Sequence, residues 1–111
     1  MRMWMIEPEL LCRKHLLGEH GEIHKFLPSF RKGYRVGGRF DPIVQIQFQG
    51  YLKRHDDLAS EMLTRGYSHN SPLLDIPDFR SIYPEYWDKK VNTLESLREL
   101  KLRCSECVVD F

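Results

Sequence analysis

Apolar residues recur at intervals of three and four along three stretches of the chain, separated by segments rich in turn-forming residues. This spacing is typical of amphipathic helices, and no alternating pattern of comparable length indicates strands. The three predicted helices begin near Pro8, Gln49 and Pro84, and they end before Pro28, at Arg65 and towards Arg103. The pattern therefore predicts an all-α fold of about three helices with long connecting loops.

The segments between these helices differ in character. Residues 29–47 are rich in glycine and basic at first, then apolar around Ile43, Val44 and Ile46. The apolar part is compatible with a short strand or an extended stretch. Residues 67–82 are predicted to be loop. The length of 111 residues is enough for one hydrophobic core and not for two, so we expect residues 1–111 to form a single compact domain.

The apolar face of the second predicted helix is clear, and Gly66 follows as a stop signal. The face is formed by Tyr51, Leu52, His55, Leu58, Ala59, Met62 and Leu63.

The first predicted helix places charged groups inside its apolar face. At about 100° per residue, one face collects Leu11, Cys12, His15, Leu16, Glu19, Glu22, Ile23 and Phe26. The polar face collects Arg13, Lys14, His20, Gly21, His24 and Lys25. A buried carboxylate costs several kcal/mol unless it is paired or neutralised. Either one of the two glutamates has a chemical role, or His15 or Arg2 pairs with them.

Gly18 and Gly21 lie three residues apart in the interior of this helix. Each costs about 1 kcal/mol relative to alanine and is usually kept for close approach of another group. We expect tight packing there by another helix, by DNA, or by the N-terminal arm of the chain folding back.

Charge is distributed unevenly along the chain. Residues 1–40 carry eight Lys or Arg against four acids, whereas residues 41–111 carry nine against twelve. Between Ile23 and Phe40 there are five basic residues and no acid, with aromatic residues interleaved. This segment is either a phosphate-binding surface or a solvated loop.

The cysteines and histidines give weak signals for a metal. Cys12, Cys104 and Cys107 are an odd number, and the Cys104–Cys107 pair lacks the second pair that a zinc site needs, so we expect a frayed helix end there. His20 and His24 lie at i and i+4, which leaves a metal-binding protein as an alternative, although no third ligand is evident. We therefore predict no metal and no cofactor.

Two blocks of sequence resemble the pyrimidine-dimer DNA glycosylases, the endonuclease V-like enzymes. The first is Met1-Arg2 together with residues 14–22, KHLLGEHGE, and the second is residues 53–67, KRHDDLASEMLTRGY. A weaker similarity covers residues 75–80, DIPDFR. The resemblance extends over most of residues 1–80.

This resemblance implies a glycosylase and AP lyase whose nucleophile is the α-amine of the first residue, partnered by a glutamate on the first helix. In this chain these are Met1 and Glu22. An α-amine ordinarily has a pKa of about 7.7–8.0, so a useful fraction is neutral and nucleophilic near pH 7. Because Arg2 is large, we expect Met1 to be retained after synthesis.

The resemblance also implies an extruded nucleotide and basic contacts to DNA. Arg2 and Lys25 match basic family positions, and His15 would orient Glu22 or contact a phosphate. Gly21 stands where the best-known family member carries an arginine, so one phosphate or base contact is either missing or supplied by Arg31, Lys32 or Arg35.

The expected partner is double-stranded damaged DNA, with cis-syn cyclobutane dimers as the expected lesion and a monomeric protein as the expected form. The segment MRMWMIEP lacks a secretory signal, and no apolar run reaches the roughly 18 residues of a membrane span. We therefore expect an intracellular, cytoplasmic protein of a bacterium or virus-infected cell, with no membrane association. A DNA-binding module without catalysis is the remaining alternative.

Overall fold

The computed structural model describes residues 1–108, and these residues form helices and loops with no strand. The helices are α1 (Arg13–Arg31), α2 (Tyr51–Thr64), α3 (Phe79–Ile82) and α4 (Thr93–Arg103), and short 3-10 turns occupy Pro8–Leu10 and Gly37–Arg39. The predicted all-α class is confirmed. None of these helices is long and apolar enough to cross a membrane.

Helix α1 begins later and ends later than the sequence pattern predicts. Pro8 starts only a 3-10 turn. The helix itself begins after Cys12, whose Sγ accepts a hydrogen bond from the amide of His15. The helix then continues through Pro28 to Arg31. A proline removes one backbone bond, and here that loss falls near the helix end, where buried Leu27 and Phe30 still anchor the last turn to the core.

Helix α2 matches its prediction closely. Gly66 adopts φ 85°, and the Tyr67 amide donates to the Met62 carbonyl, which closes the helix end as a left-handed glycine cap does. The predicted face was too wide, because Leu52 and Leu63 are exposed.

Helix α4 begins at Thr93, not near Pro84. The side chain of Asn92 accepts a bond from the amide of Glu95, so the N-terminus is set by a capping residue. Residues 84–88 form turns instead, and Trp87 and Val91 precede the helix. The short helix α3 lies inside the predicted 67–82 loop and is capped by Asp78.

The core is mainly aromatic and joins all parts of the chain. Phe48 stacks on Phe79 and on Tyr83 at centroid distances of 4.7 and 5.0 Å, and Phe30 of α1 packs edge-on against Phe48 at 5.4 Å. The predicted extended stretch follows residue 43, where the carbonyl of Gln45 accepts a bond from the amide of Met3. The N-terminal arm, residues 1–6, therefore lies along this stretch and inside the core.

Candidate active site

A buried ion pair fixes the N-terminal arm. Arg54 of α2 donates to both carboxylate oxygens of Glu19 on α1, at 2.6 and 2.9 Å, and both side chains are at most 5% exposed. Arg54 also donates to the carbonyl of Ile6 at 2.6 Å, and the amide of Trp4 donates to Glu19 at 3.2 Å. The two helices thus hold the arm by its backbone as well as by its apolar side chains.

The arm brings the terminal amine to the second glutamate of α1. The nitrogen of Met1 lies 3.2 Å from Oε2 of Glu22. The Met1 side chain is buried in the core, whereas the Glu22 side chain is 39% exposed. The amine is therefore fixed by packing while its carboxylate partner is open to solvent.

The two glutamates have different environments although both were predicted to be buried. The buried face of α1 is centred on Glu19, Ile23 and Leu27, so Glu22 lies at its margin. The charge of Glu19 is compensated by Arg54, and the pair holds α1, α2 and the N-terminal arm together. Glu22 faces the amine and remains available for proton transfer.

An open cleft of about 220 Å³ adjoins Met1. Its wall is largely aromatic and aliphatic, and two arginines contribute to it; the lining residues are Met1, Phe26, Ser29, Phe30, Tyr34, Arg35, Val36, Arg39 and Ile46. Apolar walls with a few polar groups are typical of sites that hold a small organic ligand.

Gly18 and Gly21 lie on an open surface, so the prediction of tight packing by a helix or by the N-terminal arm is wrong. Beyond the chain neighbours and the backbone of α1, a methyl group at either position would meet no atom of residues 1–108 within 4 Å. Lys14, Gly18, Gly21 and Lys25 are spaced by four, three and four residues, so they form one exposed stripe beside Glu22.

Comparison with known protein families identifies a match over most of the chain. The family model of the pyrimidine dimer DNA glycosylases matches residues 1–75, about two thirds of the chain. The chain belongs to this family. Comparisons with curated proteins and with solved structures find no match. Membership in the pyrimidine dimer DNA glycosylase family implies a protein that binds DNA and removes pyrimidine dimers, and the matched residues include the arm, α1 and α2.

The residues predicted to contact DNA are exposed to different degrees. Lys25, Lys32 and Arg35 are exposed, and Arg35 lines the cleft beside Met1. Arg31 is exposed too, but it donates to the carbonyls of Leu74 and Asp75.

Arg2 is half-buried. It pairs with Glu99 of α4 at 2.6 Å and lies over the ring of Trp4. Its contacts tie the N-terminal arm to α4.

His15 lies among the cysteines. Its Nδ1 atom is 3.2 Å from Sγ of Cys12 and 3.3 Å from Sγ of Cys107, and Cys104 completes the group. Residues 104–107 are therefore packed against the start of α1, and the expectation of a frayed end is wrong.

His20 is buried, although the helix pattern placed it on the polar face. It lies against His24, His55 and His69, with ring centroids 4.7 to 4.9 Å away. Burial and these three neighbours lower the pKa of His20 to about 4, so its ring is neutral at pH 7.

Three residues that matter here were not singled out from the sequence. Arg54 could have been predicted to form a buried ion pair, because it is a cation between Tyr51 and Leu58 on the apolar face of α2. His69 lies in a loop, where spacing predicts nothing. Arg39 belongs to the basic segment but had no feature that distinguished it.

Proposed function

We propose that this chain is a DNA glycosylase with AP lyase activity, in which the α-amine of Met1 is the nucleophile and Glu22 is its proton-transfer partner. The observation that carries the proposal is the 3.2 Å contact between the Met1 nitrogen and the Glu22 carboxylate. Membership in the family supports the same activity.

The proposed reaction begins with attack of the neutral amine on the sugar C1′ at the 5′ pyrimidine of a dimer, for which cis-syn cyclobutane dimers are the expected lesion. The bond from C1′ to the nitrogen of the 5′ base breaks, and that base stays attached to the 3′ pyrimidine through the dimer. The C1′–O4′ bond then opens, O4′ takes up a proton, and the amine and C1′ become a protonated imine. Loss of a proton from C2′ then expels the 3′ phosphate by β-elimination and cuts the strand. Glu22 accepts and returns the protons of these steps and stabilises the cationic intermediate beside it.

The DNA surface that we propose combines the cleft and the glycine stripe. The cleft beside Met1 would take an extruded nucleotide, with Arg35 and Arg39 contacting phosphate. The stripe would let the duplex approach Glu22 closely, because Gly18 and Gly21 leave space between Lys14 and Lys25. Residues 1–111 would act as one domain and as a monomer.

Borohydride trapping on DNA with an abasic site tests this proposal. The imine should be reduced to a stable covalent adduct without any added metal ion. Extension of the N-terminus by one residue should abolish trapping, because the new amine no longer lies beside Glu22.

Glu22→Gln should lower turnover on dimer-containing DNA by at least about 100-fold, the usual worth of a general acid–base group, and should leave DNA binding intact. Glu9→Gln, at an exposed acid of the 3-10 turn, is the matched control and should retain full activity. Full activity of Glu22→Gln or of the extended protein would overturn the assignment. Binding without any adduct in the wild type would indicate a non-catalytic DNA-binding module instead.

A further inference from the structure

All three cysteines and all five histidines of the chain fall into two compact clusters, and neither cluster is part of the proposed reaction. One cluster consists of Cys12, His15, Cys104 and Cys107, and the other of His20, His24, His55 and His69. Within each cluster the potential ligand atoms lie within 4.8 Å of one another.

We propose that Cys12, His15, Cys104 and Cys107 form a structural zinc site. Three thiolates and one imidazole are a recurrent ligand set for tetrahedral zinc, and four protein ligands leave no open position for catalysis. Cys12 and His15 come from the start of α1, and Cys104 and Cys107 come from the residues that follow α4.

The distances between these ligand atoms fit a tetrahedron around zinc. Bonds of about 2.3 Å to sulfur and about 2.0–2.1 Å to nitrogen place two sulfurs about 3.8 Å apart and a sulfur and a nitrogen about 3.6 Å apart. The Cys12 and Cys104 sulfurs are 3.9 Å apart, and Nδ1 of His15 is 3.2 and 3.3 Å from the sulfurs of Cys12 and Cys107. The other three pairs of ligand atoms lie within 4.8 Å, so binding requires these distances to shorten by at most about 1 Å.

The backbone around the site supports the ligands. The amide of Cys12 donates to Sγ of Cys107 at 3.1 Å, as backbone amides do around metal-bound thiolates. The amide of Val108 donates to the carbonyl of Leu10 at 2.7 Å, which holds the C-terminal segment against the start of α1. A metal here joins ligands 92 residues apart in sequence, and closing so long a loop stabilises the folded chain.

Metal analysis of the purified protein, with its thiols kept reduced, tests the site. We expect zinc to be bound, and cobalt substitution should give an intense thiolate-to-metal absorption band. The double variant Cys104→Ser with Cys107→Ser should lose one ion per chain and the cobalt band, whereas Ser105→Ala between them should lose neither.

The cobalt spectrum of the wild type decides the matter even where the double variant fails to fold. Wild-type protein whose reduced thiols give no thiolate-to-metal band with cobalt would overturn the proposal, even if zinc is bound elsewhere in the chain. Neither readout uses DNA, so the result is independent of the proposed enzymatic activity.

A different observation carries the second cluster, and we infer that the four histidines bind one divalent transition-metal ion. The Nε2 atoms of His20 and His69 are buried without a hydrogen-bond partner among the described residues, which is costly for neutral imidazoles. Nε2 of His24 and Nε2 of His55 lie 2.9 Å apart, close to the roughly 3.3 Å expected for two imidazole ligands of zinc.

A carboxylate orients one of these rings. Oδ1 of Asp56 lies 2.8 Å from Nδ1 of His55, which favours a proton on Nδ1 and a free lone pair on Nε2. A metal at the centre would use the two partnerless Nε2 atoms and replace the contact of Nε2 of His55 with the Ser71 carbonyl. Imidazole ligands suit zinc, copper, nickel and iron.

Titration of metal-free protein with zinc tests this second site. We expect two zinc ions per wild-type chain and one per chain of the His20→Asn, His24→Asn double variant. With cobalt, this variant should keep the thiolate-to-metal band, because the cysteine site is separate. Asn70→Ala, beside His69, is the control and should bind two. One ion per wild-type chain, with the full cobalt-thiolate band, would overturn the histidine site and leave the cysteine site intact.

Discussion

At the scale of residues, Glu19 and Glu22 show how the same side chain takes two roles on one helix. Glu19 is buried and paired with Arg54, and Glu22 is partly exposed and faces the Met1 amine. They lie three positions apart, which is enough to move a side chain from the centre of a buried face to its margin. The ion pair positions the arm, and the arm positions the amine.

Removing one member of this pair should destabilise the protein strongly. Arg54→Met leaves the Glu19 carboxylate buried without a partner, which typically costs about 3–5 kcal/mol. The variant Glu19→Leu with Arg54→Met should recover most of that loss, since replacing both members with apolar residues is often neutral. Urea denaturation measures both, and a cost below about 1 kcal/mol for Arg54→Met would contradict the assigned role.

At the scale of elements, α1 contributes both to the candidate active site and to the cysteine cluster. Its N-cap and first turn contribute Cys12 and His15 to the cluster, its buried face contributes Glu19, and its open face carries the glycine stripe. Nothing in the described chain packs on Gly18 and Gly21, and the proposed approach of DNA along the stripe would account for two residues that are unfavourable in a helix.

Substitutions at Gly21 should separate stability from DNA binding. Gly21→Ala should raise the free energy of unfolding by roughly 0.5–1 kcal/mol, because the helix gains propensity and the added methyl meets open space. Gly21→Gln should fold equally well but weaken DNA binding by sterically blocking the duplex. The same substitution at exposed Ser60 of α2 is the control. Unchanged affinity of Gly21→Gln would exclude this face as the DNA surface.

Sequence patterns predicted the elements better than the contacts. The period of α2 and its glycine stop predicted its position well, because both signals are local. The predicted start of α4 was wrong because Pro84 is a strong signal for a helix start, whereas the capping residue Asn92 is a weaker one. The two clusters could not be predicted, because Cys12 and Cys104 approach only through the tertiary fold, and His69 comes from a loop without periodicity.

At the scale of the whole molecule, cations and acids gather on different surfaces, although acids of both halves of the chain contribute to the acidic surface. Cations of residues 1–40 surround the cleft and the stripe, whereas Lys53 lies in a depression lined also by Glu7, Glu9, Asp57 and Glu61. A polyanion should therefore bind at the cleft and the stripe and avoid the acidic depression around Lys53.

The salt dependence of DNA binding should follow this asymmetry. Arg35→Ala and Arg39→Ala should each lower the slope of log K against log salt by about 1, as expected for loss of one phosphate contact. Lys53→Ala should leave the slope unchanged because its surroundings repel phosphate. Equal effects of the three substitutions would show that binding is not directed to the cleft.

The position of the covalent bond to DNA tests the central claim most directly. After borohydride reduction of the complex with abasic DNA, digestion and mass spectrometry identify the modified peptide and atom. We predict that the added sugar lies on the α-amine of Met1. A sugar attached to a lysine, such as Lys25 three positions after Glu22 on α1, or an unmodified N-terminal peptide would contradict it.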